Sequence, residues 1–141
     1  MSDCIFCKII NGDIPSAKVY EDDHVYAFLD ISQVTKGHTL VIPKTHRENV
    51  FELPADEAAR LFETVPAIAN AIKAEFQPDG LNILNNNGAI AGQTVFHYHI
   101  HLIPRYGQKD GFHPVFHASD SQYTQDEFKQ IAAAIAGQIQ K

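Results

Sequence analysis

Positive charge, cysteine and long apolar runs are all scarce in this chain of 141 residues. No apolar run approaches the length of about 20 residues that crosses a bilayer, which excludes a membrane-spanning protein. The chain carries 11 Lys and Arg against 17 Asp and Glu, a formal net charge of -6, whereas a protein that binds duplex nucleic acid needs a concentrated basic stripe. We therefore expect neither a membrane nor a nucleic acid as its partner.

The N-terminal residues show no targeting pattern either. Met1 to Cys4 contain no positive segment followed by an apolar run and a cleavage site. We therefore expect a cytoplasmic location. The rest of the composition, 45% hydrophobic and 20% charged residues, is typical of an ordinary folded protein. Since there are no repeats, low-complexity tracts or linkers, we expect a single domain over residues 1–141.

Short extended runs and two helical patterns alternate along the chain. Asp22-Asp23 indicates a hairpin turn between the first two runs, and Pro43 and Pro104 are expected to end the third and the fifth. The predicted strands lie at residues 18–21, 25–30, 38–42, 81–84 and 96–103. This order, with hairpin-like neighbours, favours an α+β fold with an antiparallel sheet of about five strands.

Helical periodicity predicts one long helix that starts at Pro54. Pro66 falls in its interior, where proline removes a backbone donor, and is expected to kink or split the helix. Thr124 and Glu127 form a capping-box pattern ahead of another apolar periodicity, which predicts a C-terminal helix.

Three histidines alternate in the last predicted strand, HYHIHLI. In a strand, His97, His99 and His101 share one face and their neighbours share the other. The first and third lie roughly 13 Å apart at the backbone, too far for all three to ligate one ion, although two neighbours could do so. The strand face therefore predicts a polar cleft that serves either nucleophilic catalysis or a catalytic metal.

The chain resembles the histidine triad (HIT) family, in particular its bacterial nucleoside phosphoramidase-like members. Gln93-Thr94-Val95 precede the HYHIHLI motif, and further matches lie at residues 5–10, 28–31 and 38–46. The resemblance implies a two-fold homodimer that binds a purine nucleotide and cleaves a bond to its α-phosphate through a covalent nucleotidyl-histidine. It implies no organic cofactor.

The resemblance also assigns roles to individual residues. It makes His99 the nucleophile, oriented by the backbone carbonyl of His97, with His38 behind the triad. His101 faces the phosphate, where it stabilises charge or delivers a proton to the departing amine or alcohol. Asp30 matches the residue that binds the ribose. Asn86, Gln93 and Thr94 match residues that hydrogen-bond the phosphate. The base pocket implied by the resemblance consists of Ile5, Phe6, Ile9, Phe28, Ile31 and Leu40.

Cys4 and Cys7 form a Cys-x-x-Cys pair, a spacing shared by redox motifs, zinc half-sites and accidental neighbours. In zinc-containing relatives of the HIT family, two histidines at the positions of His46 and His97 complete the site. The resemblance therefore implies one structural zinc per chain, held by two thiolates and two imidazoles with no position open to substrate.

Several functions remain alternatives at the sequence level. Within the family, the chain could be a dinucleoside polyphosphate hydrolase or a nucleotidyl transferase. A nucleotide-binding signalling module and a metal-dependent hydrolase that uses His97 and His99 as ligands are the alternatives of other classes.

Overall fold

The computed structural model describes residues 3–119 and 122–140 of the chain, so Met1, Ser2 and three further positions of the expected 1–141 domain lie outside the described residues. Its elements, in chain order, are helix α1 (Ile5–Ile10), strands β1 (Lys18–Glu21), β2 (Val25–Leu29) and β3 (Thr39–Pro43), helix α2 (Ala55–Phe76), strand β4 (Gly80–Leu84), a 3₁₀ turn (Ala89–Ala91), strand β5 (Ile100–Arg105) and helix α3 (Gln125–Gln138). Among the helices described, none has the length and apolarity needed to span a membrane.

The five strands form one antiparallel sheet in the order β1-β2-β3-β5-β4. The predicted α+β class with an antiparallel sheet of about five strands is therefore confirmed. β2, β3 and β4 differ by one residue at their ends from the predicted runs, which is within the ordinary fraying of element boundaries.

Alternating side chains of the central strands build two apolar layers. Val25, Ala27, Val41, Ile100 and Leu102 pack with the buried face of α2. On the opposite side of the sheet, the intervening residues pack with α1. This second cluster comprises Phe6, Ile9, Tyr26, Phe28, Leu40 and Ile42. His99 and His101 lie on this α1 side of the sheet.

The fifth strand differs from its predicted bounds of 96–103. It begins at Ile100, because the backbone N–H of Tyr98 donates to the carbonyl of Arg47 at 2.6 Å and so leaves the sheet ladder. Pro104 does not end the strand. The last residue of β5 that pairs with β3 is Leu102. Pro104 therefore has no neighbouring strand on the β3 side, and its missing N–H costs no ladder bond there.

Helix α2 runs without interruption through Pro66, so the predicted split is wrong. Pro66 lies on the exposed face, where water can bond the Phe62 carbonyl that the proline leaves without a donor. Pro54 caps the helix instead of starting it. The opposite face buries Leu61, Val65, Ile68 and Ile72 against the sheet.

Helix α3 confirms the predicted C-terminal helix. Thr124 and Glu127 form the reciprocal capping box, with bonds of 2.9 and 3.1 Å between side chain and backbone. None of its described residues is buried, and Phe128, Ile131 and Ile135 are exposed by 44 to 62%. The apolar stripe that predicted the helix therefore has no partner among the described residues of this chain.

Candidate active site

An apolar cavity of about 820 Å³ opens on the α1 side of the sheet. His99 and His101 lie in its wall together with Asp30 and Thr94. Of the residues expected to form a base pocket, all six line it: Ile5, Phe6, Ile9, Phe28, Ile31 and Leu40. The volume is within the range of small-molecule sites, and the wall combines an apolar part with a cluster of imidazoles and one carboxylate.

His99 is 5% exposed and is held in one orientation. Its Nδ1 lies 2.7 Å from the carbonyl oxygen of His97. Since a carbonyl only accepts, Nδ1 carries the proton and Nε2 keeps its lone pair. The edge of the Phe6 ring lies against His99, with centroids 5.2 Å apart. Burial lowers the pKa of His99, although the bond to the His97 carbonyl opposes this shift, so Nε2 is unprotonated at neutral pH.

His101 lies beside His99, with ring centroids 4.9 Å apart. Its Nδ1 is 2.9 Å from Nε2 of His38, which is 2% exposed and stands behind it. Burial, followed by the neighbouring His99 and His38, lowers the pKa of His101 to about 4. Burial also lowers the pKa of His38, against the raising effect of Asp30. Both rings are therefore neutral at physiological pH.

Acid is expected to destabilise the fold through His101. The unfolded chain binds this proton near pH 6.5 and the folded chain only near pH 4, so the unfolded state gains protons first and the free energy of unfolding falls between these values. In the variant His101→Asn, the free energy of unfolding should decrease less between pH 7 and pH 4.5 than in the wild type, as measured by urea unfolding. The assignment would be contradicted if the free energy of unfolding fell by the same amount between pH 7 and pH 4.5 in the variant, the wild type and the exposed-site control His24→Asn.

Two of the residues expected at the phosphate do not line the cavity. Gln93 is 4% exposed and its amide is fully used: Nε2 donates to the carbonyls of Glu48 and Val95, and Oε1 accepts from Gly88. Gln93 thus braces the loop that precedes the histidines. Asn86 lies at this loop, with its side chain near Gly92. Only Thr94 of the three reaches the cavity wall.

Sequence reasoning missed residues that fix the backbone of the site. Asn85 Nδ2 donates to the carbonyl of His99 at 2.9 Å, and Asn87 Nδ2 donates to Asn85 Oδ1 at 2.6 Å. The run Asn85-Asn86-Asn87 at the end of β4 was the available signal, because three consecutive amides offer donors and acceptors to neighbouring segments of the chain. The cavity wall also includes Ile14, Pro15, Ser16, Ala17, Leu29, Ser32, Gln33 and Val95.

Cys4, Cys7, His46 and His97 bring four donor atoms within 4.8 Å of one another. Cys4 caps α1 and its Sγ accepts from the backbone N–H of Cys7, which places both thiols in one helical turn. His97 Nδ1 is 3.4 Å from Cys4 Sγ and 3.6 Å from Cys7 Sγ. An S···N edge of about 3.6 Å is what tetrahedral Zn–S and Zn–N bonds require.

The tautomer of His97 also suits a metal ligand. Its Nε2 donates to the carbonyl of Pro43 at 2.8 Å, so the lone pair is on Nδ1 and faces the thiols. Burial, with a smaller effect of Cys4, raises the pKa of Cys7 to about 11, whereas a bound dication would favour its thiolate. These residues fit zinc. Since Nε2 of His97 donates to the Pro43 carbonyl and the lone pair on Nδ1 faces the thiols, His97 has no second lone pair with which to share an ion with His99.

The HIT domain family matches residues 11–108 of the chain. The chain belongs to the HIT domain family. Among its relatives, the HIT protein called "Protein hit" of Bacillus subtilis is 62% identical over 136 residues, which are 96% of this chain and 94% of that protein. A crystal structure of a HIT family protein from Bacillus anthracis has a TM-score of 0.96 and 60% identity, and the match covers 98% of each chain.

Three other HIT proteins similar to this chain are two named enzymes and one zinc-bound structure. The adenosine 5'-monophosphoramidase hnt1 of Schizosaccharomyces pombe is 44% identical over 77% of this chain and 78% of its own length. The adenylylsulfatase HINT3 of Arabidopsis thaliana is 48% identical over 74% of this chain and 53% of its own length. A zinc-bound histidine triad protein from Mycobacterium smegmatis has a TM-score of 0.74 and 38% identity, with 94% of this chain and 98% of that chain covered.

Proposed function

We propose that this HIT protein hydrolyses nucleoside phosphoramidates, cleaving a bond to the α-phosphate of a purine nucleotide through a covalent intermediate on His99. The observation that carries the proposal is the state of His99: Nδ1–H donates to the His97 carbonyl, and an unprotonated Nε2 remains in the wall of a nucleotide-sized cavity. Two HIT relatives named for the hydrolysis of adenylyl compounds support it.

The reaction requires two displacements at phosphorus. In the first, His99 Nε2 forms a bond to the α-phosphorus while the bond to the amine breaks, and the amine leaves with a proton from solvent. In the second, water breaks the P–N bond to His99, giving the nucleoside monophosphate and returning a proton. A neutral, oriented imidazole can make the first attack without a separate base.

A direct assay tests this proposal. The protein is mixed with adenosine or guanosine phosphoramidates, and amine and nucleoside monophosphate are measured by chromatography. We expect stoichiometric release of both products, and rates that survive strong chelation, because no metal takes part in the chemistry. Nucleotide binding without turnover would instead favour a binding or signalling module. Activity abolished at once by chelation would favour a metal-dependent hydrolase.

We assign Asp30 to the ribose. Asp30 lies in the cavity wall, with Oδ2 3.6 Å from His38 Nε2, and its Oδ1 already accepts from the N–H of Ser32 at 2.8 Å, which holds the carboxylate in place. A carboxylate oxygen can accept from the sugar hydroxyls, and such charge-assisted bonds contribute about 1.5 to 3 kcal/mol.

The variant Asp30→Asn is therefore expected to bind adenosine monophosphate about tenfold more weakly or worse. Titration calorimetry with this nucleotide and with its 2',3'-dideoxy analogue separates the sugar from the rest of the ligand. Wild type should prefer the ribose form, while Asp30→Asn should lose most of that preference and the exposed-site control Asp23→Asn should keep it. If Asp30→Asn kept the full wild-type preference for the ribose form over the dideoxy analogue, the assignment of Asp30 to the ribose would be wrong.

We further propose one structural zinc per chain, held by Cys4, Cys7, His46 and His97. The donor distances and the tautomer of His97 support it, as does the zinc-bound HIT structure from Mycobacterium smegmatis. When bound, the zinc would supply a cross-link between α1 and the segment that carries the histidines. His97 would then hold its ring to this cluster while its carbonyl orients His99.

We also propose that the protein is a cytoplasmic homodimer with one domain per chain. The exposed apolar stripe of α3 and the exposed Ile83 on the edge strand β4 are surfaces that a second copy could cover. Sedimentation velocity at micromolar concentration should give twice the monomer mass. A single monomer species over this concentration range would contradict the dimer.

A further inference from the structure

The peptide unit between His97 and Tyr98 (the 97–98 unit) has both of its polar groups bonded within the site. Its N–H donates to the backbone carbonyl of Arg47 at 2.6 Å. Its carbonyl accepts from Nδ1 of His99 at 2.7 Å. The unit is planar and trans, as are the other peptide bonds in the described part of the chain, so its N–H and C=O point in opposite directions. A group that fixes the direction of the N–H therefore also fixes the direction of the carbonyl.

The sheet does not orient the 97–98 unit. Strand β5 begins at Ile100, two residues after Tyr98, and the unit precedes the ladder that joins β5 to β3. His97 and Tyr98 are both buried, and a buried N–H needs a protein partner because water does not reach it. The Arg47 carbonyl is that partner, so it replaces the strand neighbour that would otherwise set the plane of the unit.

We propose that Arg47 is a positioning residue for His99: its carbonyl orients the 97–98 unit, and its side chain, paired with Glu57, holds that carbonyl in place. This inference rests on the proposed function. The Arg47 carbonyl, the 97–98 unit and the His99 ring form one chain of hydrogen bonds, in which each bond polarises the next. If the first acceptor moves, the plane of the unit turns and the bond that orients the imidazole weakens.

The side chain of Arg47 forms a two-pronged ion pair with helix α2. Its Nε donates to Oε1 of Glu57 at 3.0 Å and its Nη2 donates to Oε2 at 2.7 Å. Two parallel bonds fix the direction of the guanidinium as well as its position. Glu57 lies in the first turn of α2, where the helix dipole favours a carboxylate. The pair therefore ties the backbone at Arg47 to a helix that packs on the sheet.

The residues on either side of Arg47 contact other parts of the site. His46 Nδ1 is 3.5 Å from Cys7 Sγ, within the cysteine and histidine cluster. The carbonyl of Glu48 accepts from Nε2 of Gln93 at 2.7 Å. These contacts remain when the ion pair is removed, so variants of the pair should fold and should keep the metal cluster. What they lose is the bond that fixes this segment relative to α2.

A purely stabilising ion pair is the alternative role for Arg47 and Glu57. Their side chains are 32% and 17% exposed, and pairs this accessible to water contribute little to the free energy of unfolding. A misplaced nucleophile has a larger effect, since an error of about 1 Å in a reacting group can lower the rate by as much as a hundredfold. The two roles therefore differ in whether the rate falls more than the stability.

The first test compares Arg47→Met and Glu57→Gln with a matched control. Glu21→Gln removes the 2.7 Å ion pair with Lys44, which lies outside the cavity wall. With an adenosine phosphoramidate, kcat should fall about tenfold in the first two variants, while KM, zinc content and melting temperature stay near the wild-type values, and the control should keep its kcat. An unchanged kcat in both variants, an equal loss in the control, or a loss that only accompanies loss of zinc or of the fold would overturn the proposal.

The second test reads the chain of hydrogen bonds directly, by ¹H–¹⁵N spectroscopy of the intact proteins at pH 7.5. In the wild type, we expect slow hydrogen exchange at the Tyr98 amide and a single Nδ1–H tautomer at His99. In Arg47→Met, the amide should exchange about tenfold faster or more, and the His99 ring should show a mixture of tautomers. Wild-type exchange and a single tautomer in this variant would show that Arg47 does not position His99. Since neither signal requires turnover, this failure is distinguishable from a failure of the proposed function.

Discussion

Replacing His99 with glutamine is expected to lower kcat/KM for a nucleoside phosphoramidate by a factor on the order of 10⁴ or more. Glutamine is similar in length to histidine and places its amide near the position of the native Nε2, so it fills the same space, although the 2.7 Å bond from Nδ1 to the His97 carbonyl is lost. It offers no nitrogen lone pair that can attack phosphorus. The effect should therefore appear in the chemical step and leave nucleotide affinity nearly unchanged.

The measurement combines steady-state amine release with calorimetric binding of adenosine monophosphate. His24→Gln is the matched control, because His24 is exposed and lies outside the cavity wall. The control should keep the wild-type rate. A His99→Gln protein that retains more than a tenth of the wild-type rate, while it is folded and binds nucleotide, would show that another group attacks phosphorus.

Loss of one thiol ligand is expected to remove zinc and destabilise the fold. Cys7→Ser should lose the stoichiometric zinc of protein purified without chelator and should lower the free energy of unfolding by on the order of 3 kcal/mol. The melting temperature should then fall by about 10 °C. The cause is the loss of the cross-link between α1 and His97, whose Nδ1 lies 3.6 Å from Cys7 Sγ.

Metal analysis and thermal unfolding measure this prediction together. His24→Gln should retain the zinc and the stability, and His46→Gln should behave like Cys7→Ser, since His46 Nδ1 is 3.5 Å from the same sulfur. Less than a tenth of an equivalent of zinc in the wild type would contradict the site. A Cys7→Ser protein that keeps zinc and stability would show that the cysteine pair has no metal role.

Much of the fold follows from local patterns in the sequence. Side chains alternate along the predicted strand β2, which puts Val25 and Ala27 on one face and Tyr26 and Phe28 on the other; the structure packs the first pair with α2 and the second pair with α1. The helical period of α2 and the capping box of α3 were likewise sufficient. These features depend only on residues that are close together in the sequence, so they can be predicted without knowledge of distant contacts.

The errors occur where a distant contact overrides the local pattern. Nothing in HYHIHLI indicates that Tyr98 bonds Arg47, a contact that makes β5 begin only at Ile100. Pro66 is expected from the sequence to kink or split α2, but the helix continues through it, because at this exposed position water can replace the lost bond. The phosphate role that the resemblance implies for Gln93 stays a prediction, and its contacts with Glu48, Gly88 and Val95 are likewise distant ones that the local pattern does not indicate.

For the candidate site, the sequence predicted which residues meet but not how their protons are arranged. The resemblance predicts His38 behind the triad and His101 facing the phosphate. The tautomer of His99 depends on the His97 carbonyl, and the plane of that peptide unit depends on the Arg47 carbonyl, which are backbone groups that every sequence contains. Their role is determined only by distances in the folded chain.

The central claim is that His99 Nε2 forms a covalent bond to the α-phosphorus. The most direct measurement is mass spectrometry of protein quenched with base within milliseconds of mixing with a nucleoside phosphoramidate. The account predicts a nucleotidyl adduct on the peptide that contains His99, located on His99 by fragmentation, formed and consumed at rates that match turnover. Turnover with no adduct at any time, or with the adduct on His101 instead, would contradict it.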